Sequence, residues 1–239
     1  MGKVILIASG KGGTGKTVFT ANMGAVLARR GHKVALIDMD FGLRNLDICL
    51  GLENKVVYDV LDVLSGLCRI KQALIRDKRF DSLFLIAAPP GGKSADITPL
   101  HMKVLCRKLA RNFEYVIIDG PAGAGENVMI SGAGADEAVI ITALEYAAIR
   151  NADALSAALK ASGIDNIKYV LNKVRGDLLR TGFVPSIDET IKKLGDRIAG
   201  MIQYDDNIHM AANSGFPIVL KRGTYIEKNF NKITDRIIG

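Results

Sequence analysis

The sequence predicts an α/β fold, a doubly wound and mostly parallel sheet with helices on both faces. Three observations indicate it. Short β-branched apolar runs recur along the 239 residues, helix-length segments with apolar faces separate them, and glycine or aspartate follows several of the runs. Because no linker, repeat or low-complexity tract interrupts this alternation, residues 1–239 are expected to form a single domain.

The first elements form a strand–loop–helix–strand unit. Residues 4–8 are a continuous apolar run, typical of a strand buried on both faces. A glycine-rich loop over 9–15 follows, and 16–30 has helical periodicity before Gly31. Residues 34–37 predict a second strand that ends in Asp38-Met39-Asp40. The apolar face of the first helix is expected to contain Phe19, Met23, Val26 and Leu27.

The same alternation continues to the end of the sequence. Further strands are predicted at 83–87, 115–118, 138–142, 168–171 and 198–202, with a short one at 217–220. Helices are predicted at 99–112, with Leu100, Val104, Leu105 and Leu109 facing inward, and at 148–161. Such an order of elements favours parallel strand pairing.

Composition narrows the function classes. The sequence has 49% hydrophobic and 24% charged residues, a composition that excludes a largely disordered chain. The net charge of +7 is spread over both ends of the sequence, so an anionic partner and a merely solubilising surface both remain open. Cys49, Cys68 and Cys106 form no Cys-x-x-Cys pair, which favours a reducing cytoplasm and core positions for all three. No signal peptide or apolar run of membrane-spanning length is apparent.

Residues 10–17 carry the strongest chemical signal. Gly-Lys-Gly-Gly-Thr-Gly-Lys-Thr fits the phosphate-loop template G-x-x-x-x-G-K-[ST] at every position, after a predicted strand and before a predicted helix. Glycines let successive N–H groups point at one anion, and the helix N-terminus adds partial positive charge. Lys16 is expected to reach the β- and γ-phosphate oxygens, and the Thr17 hydroxyl to bind Mg²⁺. The predicted nucleotide-binding residues of this segment are Gly10, Lys11, Gly12, Gly13, Thr14, Gly15, Lys16, Thr17 and Val18.

Three aspartates are expected beside this loop. Asp38 and Asp40 end the second strand, and residues two apart on an extended segment share a face. Asp119 follows the apolar run 115–118, as in a Walker B segment. Open α/β sheets bind their ligands at the carboxyl ends of the strands. Carboxylates at such a site can support Mg²⁺ or orient a water molecule. The alternative for Asp38 and Asp40 is that they only cap turns, and an aspartate such as Asp119 is common at the end of a strand.

Lys11 has no role in the plain template and is either a second ammonium near the triphosphate or a solvated loop lysine. The string Ser-Gly-Lys-Gly-Gly-Thr-Gly-Lys-Thr over 9–17 resembles the deviant Walker A box of the ParA/MinD family of ATPases. In that family the early lysine reaches the phosphates of a partner subunit. The resemblance implies ATP and Mg²⁺ as ligands, an ATP-dependent homodimer, and Lys11, Lys16 and Asp40 as catalytic residues, with Lys11 acting as an arginine finger does.

Further segments resemble the division-site branch of this family, in register along essentially the whole chain. They are 38–47, 56–64, 72–75, 119–123 and 215–219. The resemblance implies a slow, partner-stimulated ATPase in septum placement, with Asp38, Asp119 and Thr17 around magnesium and Asp40 positioning the attacking water. Its ATP-bound dimer would recruit a division inhibitor similar to MinC, and a protein similar to MinE or another activating partner would stimulate its ATPase activity.

The resemblance also implies residues for the base and for partners. Asn172 is expected to recognise adenine, although it could simply end a strand, and Asp205 lies in the loop that lines the base. Gln203 stands where a proline is usual, and Val18 where a second Thr or Ser is usual. The expected partner-binding residues are Arg44, Arg150 and Asp153, with Asn151 in place of a common acidic residue.

The last helix leaves a choice between core and membrane. Its apolar stripe consists of Ile226, Phe230, Ile233 and Ile237, with Lys228, Lys232 and Arg236 on the opposite face. A stripe of this kind either packs on a sheet or lies on an anionic membrane, and packing on the sheet is the favoured alternative. The family usually continues into a membrane-targeting helix, whereas this sequence stops at Gly239, so peripheral contact with the inner face of the cell membrane stays open.

Other functions of the same loop family remain as alternatives. A ParA-like partition ATPase or a flagellar-placement relative would act on DNA or another polar assembly. Nucleic acid is not expected as a partner, because the sequence has no basic arm, helix-turn-helix extension or aromatic platform. A metallocluster carrier would need bridging cysteines, and no Cys-x-x-Cys is present.

Overall fold

A central sheet organises the protein. The computed structural model describes residues 1–41, 44–92, 97–195 and 197–239, and within these ranges the sheet has eight strands. They are β1 (Lys3–Ser9), β2 (Val34–Asp38), β3 (Ile75–Arg76), β4 (Leu83–Ile86), β5 (Tyr115–Ala122), β6 (Glu137–Ala143), β7 (Ile167–Val174) and β8 (Ile198–Gln203). The spatial order is β3-β4-β2-β5-β1-β6-β7-β8. The short edge strand β3 is antiparallel to β4, and the other pairs are parallel, which confirms the predicted fold class.

Helices cover both faces of this sheet. They are α1 (Lys16–Arg29), α2 (Leu46–Leu50), α3 (Val60–Leu64), α4 (Ile70–Ala73), α5 (Pro99–Leu109), α6 (Glu126–Gly132), α7 (Tyr146–Ala161), α8 (Gly176–Leu179), α9 (Ile187–Leu194), α10 (Asp206–Asn213) and α11 (Tyr225–Ile238). Side chains of β1 alternate between two cores: Leu6 packs with α5, α6 and α7, whereas Ile5 and Ile7 pack with α1 and α11. The continuous apolar run of β1 therefore reflects burial on both faces.

The stripe of α11 is docked on the sheet. Ile226, Phe230, Ile233 and Ile237 are buried in the same core as α1. The rings of Phe230 and Phe19 stack with centroids 5.8 Å apart. On β8, a Cβ at Gly200 would lie 2.6 Å from Ile233 Cγ1, so the glycine permits the close approach of α11. The four apolar residues are thus core residues. No helix in the described ranges is both long and apolar enough to cross a bilayer.

The inward face of α5 differs from the prediction. Leu105 and Leu109 are buried as expected, but Leu100 and Val104 are exposed. The buried set is Met102, Leu105, Cys106 and Leu109, which follows the spacing i, i+3, i+4 and i+7. That face is the one that meets the sheet, so Leu100 and Val104 point away from it. The structure therefore corrects the predicted orientation of this helix.

Two smaller predictions are also wrong. Residues Ile218–Leu220 form a 3₁₀-helix and no strand, because Pro217 has no N–H and the Val219 N–H donates to the side chain of Asn22 at 3.2 Å. Cys68 is only half-buried, whereas Cys49 and Cys106 are core residues; all three are free thiols.

Replacing Phe230 with alanine should strongly destabilise the protein. The change empties a fully buried site between α11 and α1, so Phe230→Ala is expected to lower the free energy of unfolding by about 3–5 kcal/mol in urea titrations. The control is Lys232→Ala on the exposed face of the same helix, with an expected change within about 0.5 kcal/mol. Equal stability of the two variants would contradict the docking of α11.

Candidate functional site

The candidate site lies where three adjacent strands end. β2, β5 and β1 are neighbours in the sheet, and Asp38 on β2 is in register with Asp119 on β5. Asp119 also pairs in register with Ile7 on β1, two residues before the glycine-rich loop begins. Parallel strands bring their carboxyl ends to one edge. The fold therefore places both carboxylates directly beside the loop, as the sequence predicts.

The loop has the backbone of an anion nest. Gly13 and Gly15 have φ angles of 75° and 94°, which disfavour residues with a Cβ, and α1 begins immediately afterwards at Lys16. No side chain of the described residues caps the start of α1, and its first turn has no acidic residue. The first N–H groups of α1 are therefore available to a phosphate, and the helix dipole favours the same charge. The buried Lys16 adds a cation to this position.

Asp119 is a buried carboxylate that lacks part of its hydrogen bonding. Its Oδ1 accepts from the Thr20 hydroxyl at 3.1 Å, whereas its Oδ2 is buried without a hydrogen-bond partner among the described residues. Burial raises the pKa of Asp119 to about 6, although the hydroxyl of Thr17 and the charge of Lys16 act in the opposite direction. A buried, unpartnered oxygen of this kind fits a bound cation.

Asp38 completes an oxygen-rich pair with Asp119. Its two oxygens accept the N–H groups of Asp40 at 2.9 Å and Leu46 at 3.2 Å. Burial, followed by the charge of Asp119, raises the pKa of Asp38 well above its usual range. Hydroxyl and carboxylate oxygens are the donors that Mg²⁺ prefers, so Thr17, Asp38 and Asp119 fit this ion.

Mg²⁺ at this position would need further ligands. Within the described ranges, no group of three His, Cys, Asp or Glu side chains is arranged to hold a metal ion. Mg²⁺ usually binds one or two carboxylates and completes its shell with water and substrate phosphates. The arrangement therefore fits a magnesium ion that arrives with a polyphosphate in the adjacent loop.

Asp40 lies at the rim of this pair. It is half-buried, and its negative charge contributes to the raised pKa of both Asp38 and Asp119. Beyond it, Arg44 donates to the buried Asp47 at 2.8 Å, so the guanidinium predicted to bind partners is engaged within its own segment. Gly42 and Leu43 of the predicted 38–47 segment lie outside the described residues.

Lys11 forms an ion pair with Glu145 and not with the buried carboxylates. Its Nζ lies 2.8 Å from Glu145 Oε2, and both side chains are about half exposed, at 51% and 52%. An ion pair this exposed contributes little free energy, so the lysine can exchange this partner for another anion. The one feature of the sequence that marks Glu145 is its place after β6, at the same sheet edge as the loop.

Strand β7 supports the loop from the other side. Asn172 Nδ2 donates to the Thr14 carbonyl at 2.7 Å, and Lys173 Nζ donates to the Gly13 carbonyl at 2.7 Å. A Cβ at Gly15 would lie 2.4 Å from Asn172 Nδ2, so the glycine is required for this contact. In this structure the Asn172 amide therefore holds the loop. Lys173 was not identified from sequence, and no motif marks it.

A cleft extends from the loop toward β7 and β8. Its volume is about 270 Å³, and its walls include Leu144, Glu145, Arg175 and Tyr204. It adjoins the loop on the side of β6, β7 and β8, whereas Asp38 and Asp119 lie on the side of β2 and β5. Asp205 begins α10 by accepting the N–H of Asn207 at 2.8 Å and also accepts the Tyr225 hydroxyl, so its carboxylate has structural partners here.

Helix α7 joins the loop to the protein surface. A Cβ at Gly10 would lie 2.6 Å from the backbone of Asn151, so the first glycine of the loop packs directly on α7. Arg150 and Asp153 are exposed on this helix. The two predicted partner-binding residues on α7 therefore lie one turn or less from a residue that contacts the phosphate loop.

Comparisons with known proteins agree with this geometry. The septum site-determining protein MinD of Bacillus subtilis is 39% identical over 241 residues, covering 100% of this chain and 90% of that protein. The septum site-determining protein MinD of Synechocystis is 40% identical over 221 residues, covering 92% and 83%. A chain of the MinC:MinD cell division protein complex of Aquifex aeolicus superposes with a TM-score of 0.90 at 37% identity, covering 99% and 96%. The family profile for the CobQ/CobB/MinD/ParA nucleotide binding domain matches residues 5–218, and the chain belongs to this family.

Proposed function

We propose that the protein is an ATP-dependent dimerising ATPase that takes part in septum placement. Its similarity to septum site-determining MinD proteins extends over the whole chain and supports this role. The observation that supports ATP-dependent dimerisation is the exposed ammonium of Lys11. It pairs with Glu145 beside the phosphate loop, whereas Lys16 lies buried in the loop. Two lysines in one loop, one buried and one free to exchange partners, suit a nucleotide that joins two subunits.

Each residue of the site has a chemical task in this proposal. The loop N–H groups and Lys16 bind the β- and γ-phosphates of ATP, and Thr17, Asp38 and Asp119 hold Mg²⁺. Mg²⁺ would neutralise charge on the phosphate oxygens. Asp40 orients the attacking water at the rim of the site. Asn172 and Asp205 act indirectly at the adenine end, since Asn172 holds the loop through the Thr14 carbonyl and Asp205 holds the start of α10.

Lys11 acts across the dimer. After leaving Glu145, its ammonium stabilises the charge that develops on the partner subunit's triphosphate, as an arginine finger does. Because phosphoryl transfer depends on positioning, turnover is slow until the dimer and a stimulating partner complete the site. This makes ATP the ligand that controls assembly.

The ATP-bound dimer recruits a division inhibitor. Arg150 and Asp153 are exposed on α7, and Asn151 of the same helix packs on Gly10 of the loop. A change in the loop on nucleotide binding is therefore transmitted to this surface through α7. The complex of MinC and MinD from Aquifex aeolicus supports a MinC-like inhibitor as the partner. A MinE-like or other activating partner then stimulates hydrolysis. We place the protein in the cytoplasm; the apolar stripe of α11 is buried in the core, so any contact with the inner face of the membrane would come from another surface.

Lys11→Ala should separate ATP binding from dimerisation. Lys16 and the loop amides remain, so the ATP affinity measured by calorimetry should stay nearly unchanged. Loss of the cation supplied across the interface should abolish ATP-dependent dimers in light scattering and lower kcat by about 10³-fold or more. The matched control is Lys173→Ala, which removes a different lysine that contacts the loop and should retain ATP-dependent dimers. Dimers of Lys11→Ala with ATP would contradict the proposal.

Asp40→Asn should block hydrolysis without blocking assembly. The amide keeps the size of the side chain but cannot accept a proton from water, so kcat is expected to fall by roughly 10²–10⁴-fold. ATP-dependent dimers should persist because the phosphate contacts are intact. Single-turnover phosphate release and light scattering on the same sample measure the two effects. Wild-type hydrolysis by this variant would remove Asp40 from the mechanism.

Asp119→Asn should weaken Mg²⁺ binding and stabilise the nucleotide-free protein. Losing a carboxylate near the ion should lower Mg²⁺ affinity in the presence of ATP by about 10–100-fold. The Asp119 carboxyl ionises more easily in the unfolded chain than in the folded protein, where its pKa is about 6. The free energy of unfolding therefore falls as the pH rises from about 4 through about 6. Thermal denaturation without nucleotide should therefore show a higher Tm for the variant at pH 7 and a smaller difference at pH 4. A lower Tm at pH 7 would contradict this account.

A further inference from the structure

A groove lies between α5 and the helices α3 and α4, away from the nucleotide site. Leu100, Val104 and Lys108 are spaced by four residues and form one outward stripe on α5. Leu100 is 67% exposed and Val104 is 42% exposed, although both are apolar. Val63 and Leu64 of α3 also line the groove, and both are only partly buried. Apolar side chains from two helices are therefore left open to solvent at one place.

The groove has an apolar floor large enough for several side chains. Ile70 and the buried Leu105 complete the floor between the helices, and the cavity volume is about 680 Å³. Contiguous apolar surface of this kind on a folded protein marks a binding surface more often than a packing defect. The floor is therefore suited to hold apolar anchor residues of a ligand.

The rim of the groove is cationic. Arg69 and Lys71 border it on the side of α4, and Lys108 borders it on α5. Among the described residues that line the groove, none carries a carboxylate. The rim therefore attracts a negatively charged ligand, while the floor requires that ligand to be partly apolar.

We propose that this groove binds an acidic amphipathic helix of a partner protein. Such a helix places apolar residues at i, i+3 or i+4, and i+7 in the floor, and its carboxylates meet Arg69, Lys71 and Lys108 at the rim. A concave groove between helices fits a helix better than a planar membrane surface. Nucleic acid would use the cations but leave the apolar floor without a partner, and no Phe, Tyr or Trp lines the described part of the groove for base stacking.

This surface is separate from the one proposed for the inhibitor. The groove shares no lining residue with the nucleotide cleft, and Arg150 and Asp153 lie on α7, outside it. The groove is therefore a second binding surface, and peptide binding to it can be measured without ATP. Failure of one proposal leaves the other testable.

A peptide selection tests the chemistry of the ligand. Random peptides of about 16 residues, long enough for four helical turns, are displayed on phage, selected on the full chain and depleted on its Val104→Glu variant, which places a carboxylate in the groove. Enriched peptides are expected to be net acidic, with apolar residues at helical spacing. Absence of enrichment, or enrichment of basic peptides, would overturn the proposal.

Fluorescence anisotropy with the most enriched peptide then tests the place of binding. Leu100→Glu and Lys71→Glu should each weaken binding by about tenfold or more, and salt should weaken binding to the wild type. Both changed residues are exposed, so folding should be preserved, and circular dichroism checks it. The matched controls are Ile191→Glu and Lys192→Glu, which alter an exposed apolar residue and an adjacent lysine on α9 and should leave the affinity unchanged.

The other ligand classes are tested with the same variants. Vesicles containing phosphatidylglycerol and a heparin column present anionic lipid and polyanion without an apolar helix. If either binds the wild type and Leu100→Glu abolishes that binding while the peptide affinity is unaffected, the groove is not a helix site. Equal loss of peptide affinity in the α9 controls would also overturn the assignment.

Discussion

The proximity of two buried carboxylates, Asp38 and Asp119, is the constraint on which the site depends. They face each other on neighbouring strands, and one oxygen of Asp119 has no hydrogen-bond partner among the described residues. Burial and the charges of neighbouring aspartates raise the pKa of both, so the ionised pair is unfavourable in the nucleotide-free protein. A cation relieves this cost, and the adjacent loop is the place where a polyphosphate can supply one. The site is therefore more stable with a bound cation than without one.

The loop itself is held by residues distant in sequence. Asn172 and Lys173 donate to the carbonyls of Thr14 and Gly13, and these two contacts fix the loop on β7. Gly10 packs on the backbone of Asn151 in α7. The same short loop therefore contacts β7, α7 and, through Lys11, Glu145. A change in the loop on nucleotide binding would therefore reach Lys11 and α7, the parts that are proposed to form the dimer and to recruit a partner.

Sequence alone predicts the parts of this architecture that depend on local chemistry. The phosphate loop, Asp38, Asp119 and the docked stripe of α11 follow from glycine geometry, strand ends and helical periodicity. The orientation of α5 did not follow, because Leu100 and Val104 satisfy helical spacing as well as Met102 and Cys106 do, and only the neighbouring sheet decides between the faces. Glu145 and Lys173 were missed because their contacts with the loop span more than 130 residues. The same corrected face of α5 forms the groove beside α3 and α4.

The central claim is that Lys11 completes the site of the opposite subunit, and a mixture of two inactive variants tests it most directly. In a dimer of one Lys11→Ala chain and one Asp40→Asn chain, the first chain keeps Asp40 and receives Lys11 from the second. Action across the interface therefore predicts that mixing the purified variants restores ATP hydrolysis. If the mixture stays at the level of the separate variants while mixed dimers form, Lys11 acts within its own subunit and the account is contradicted.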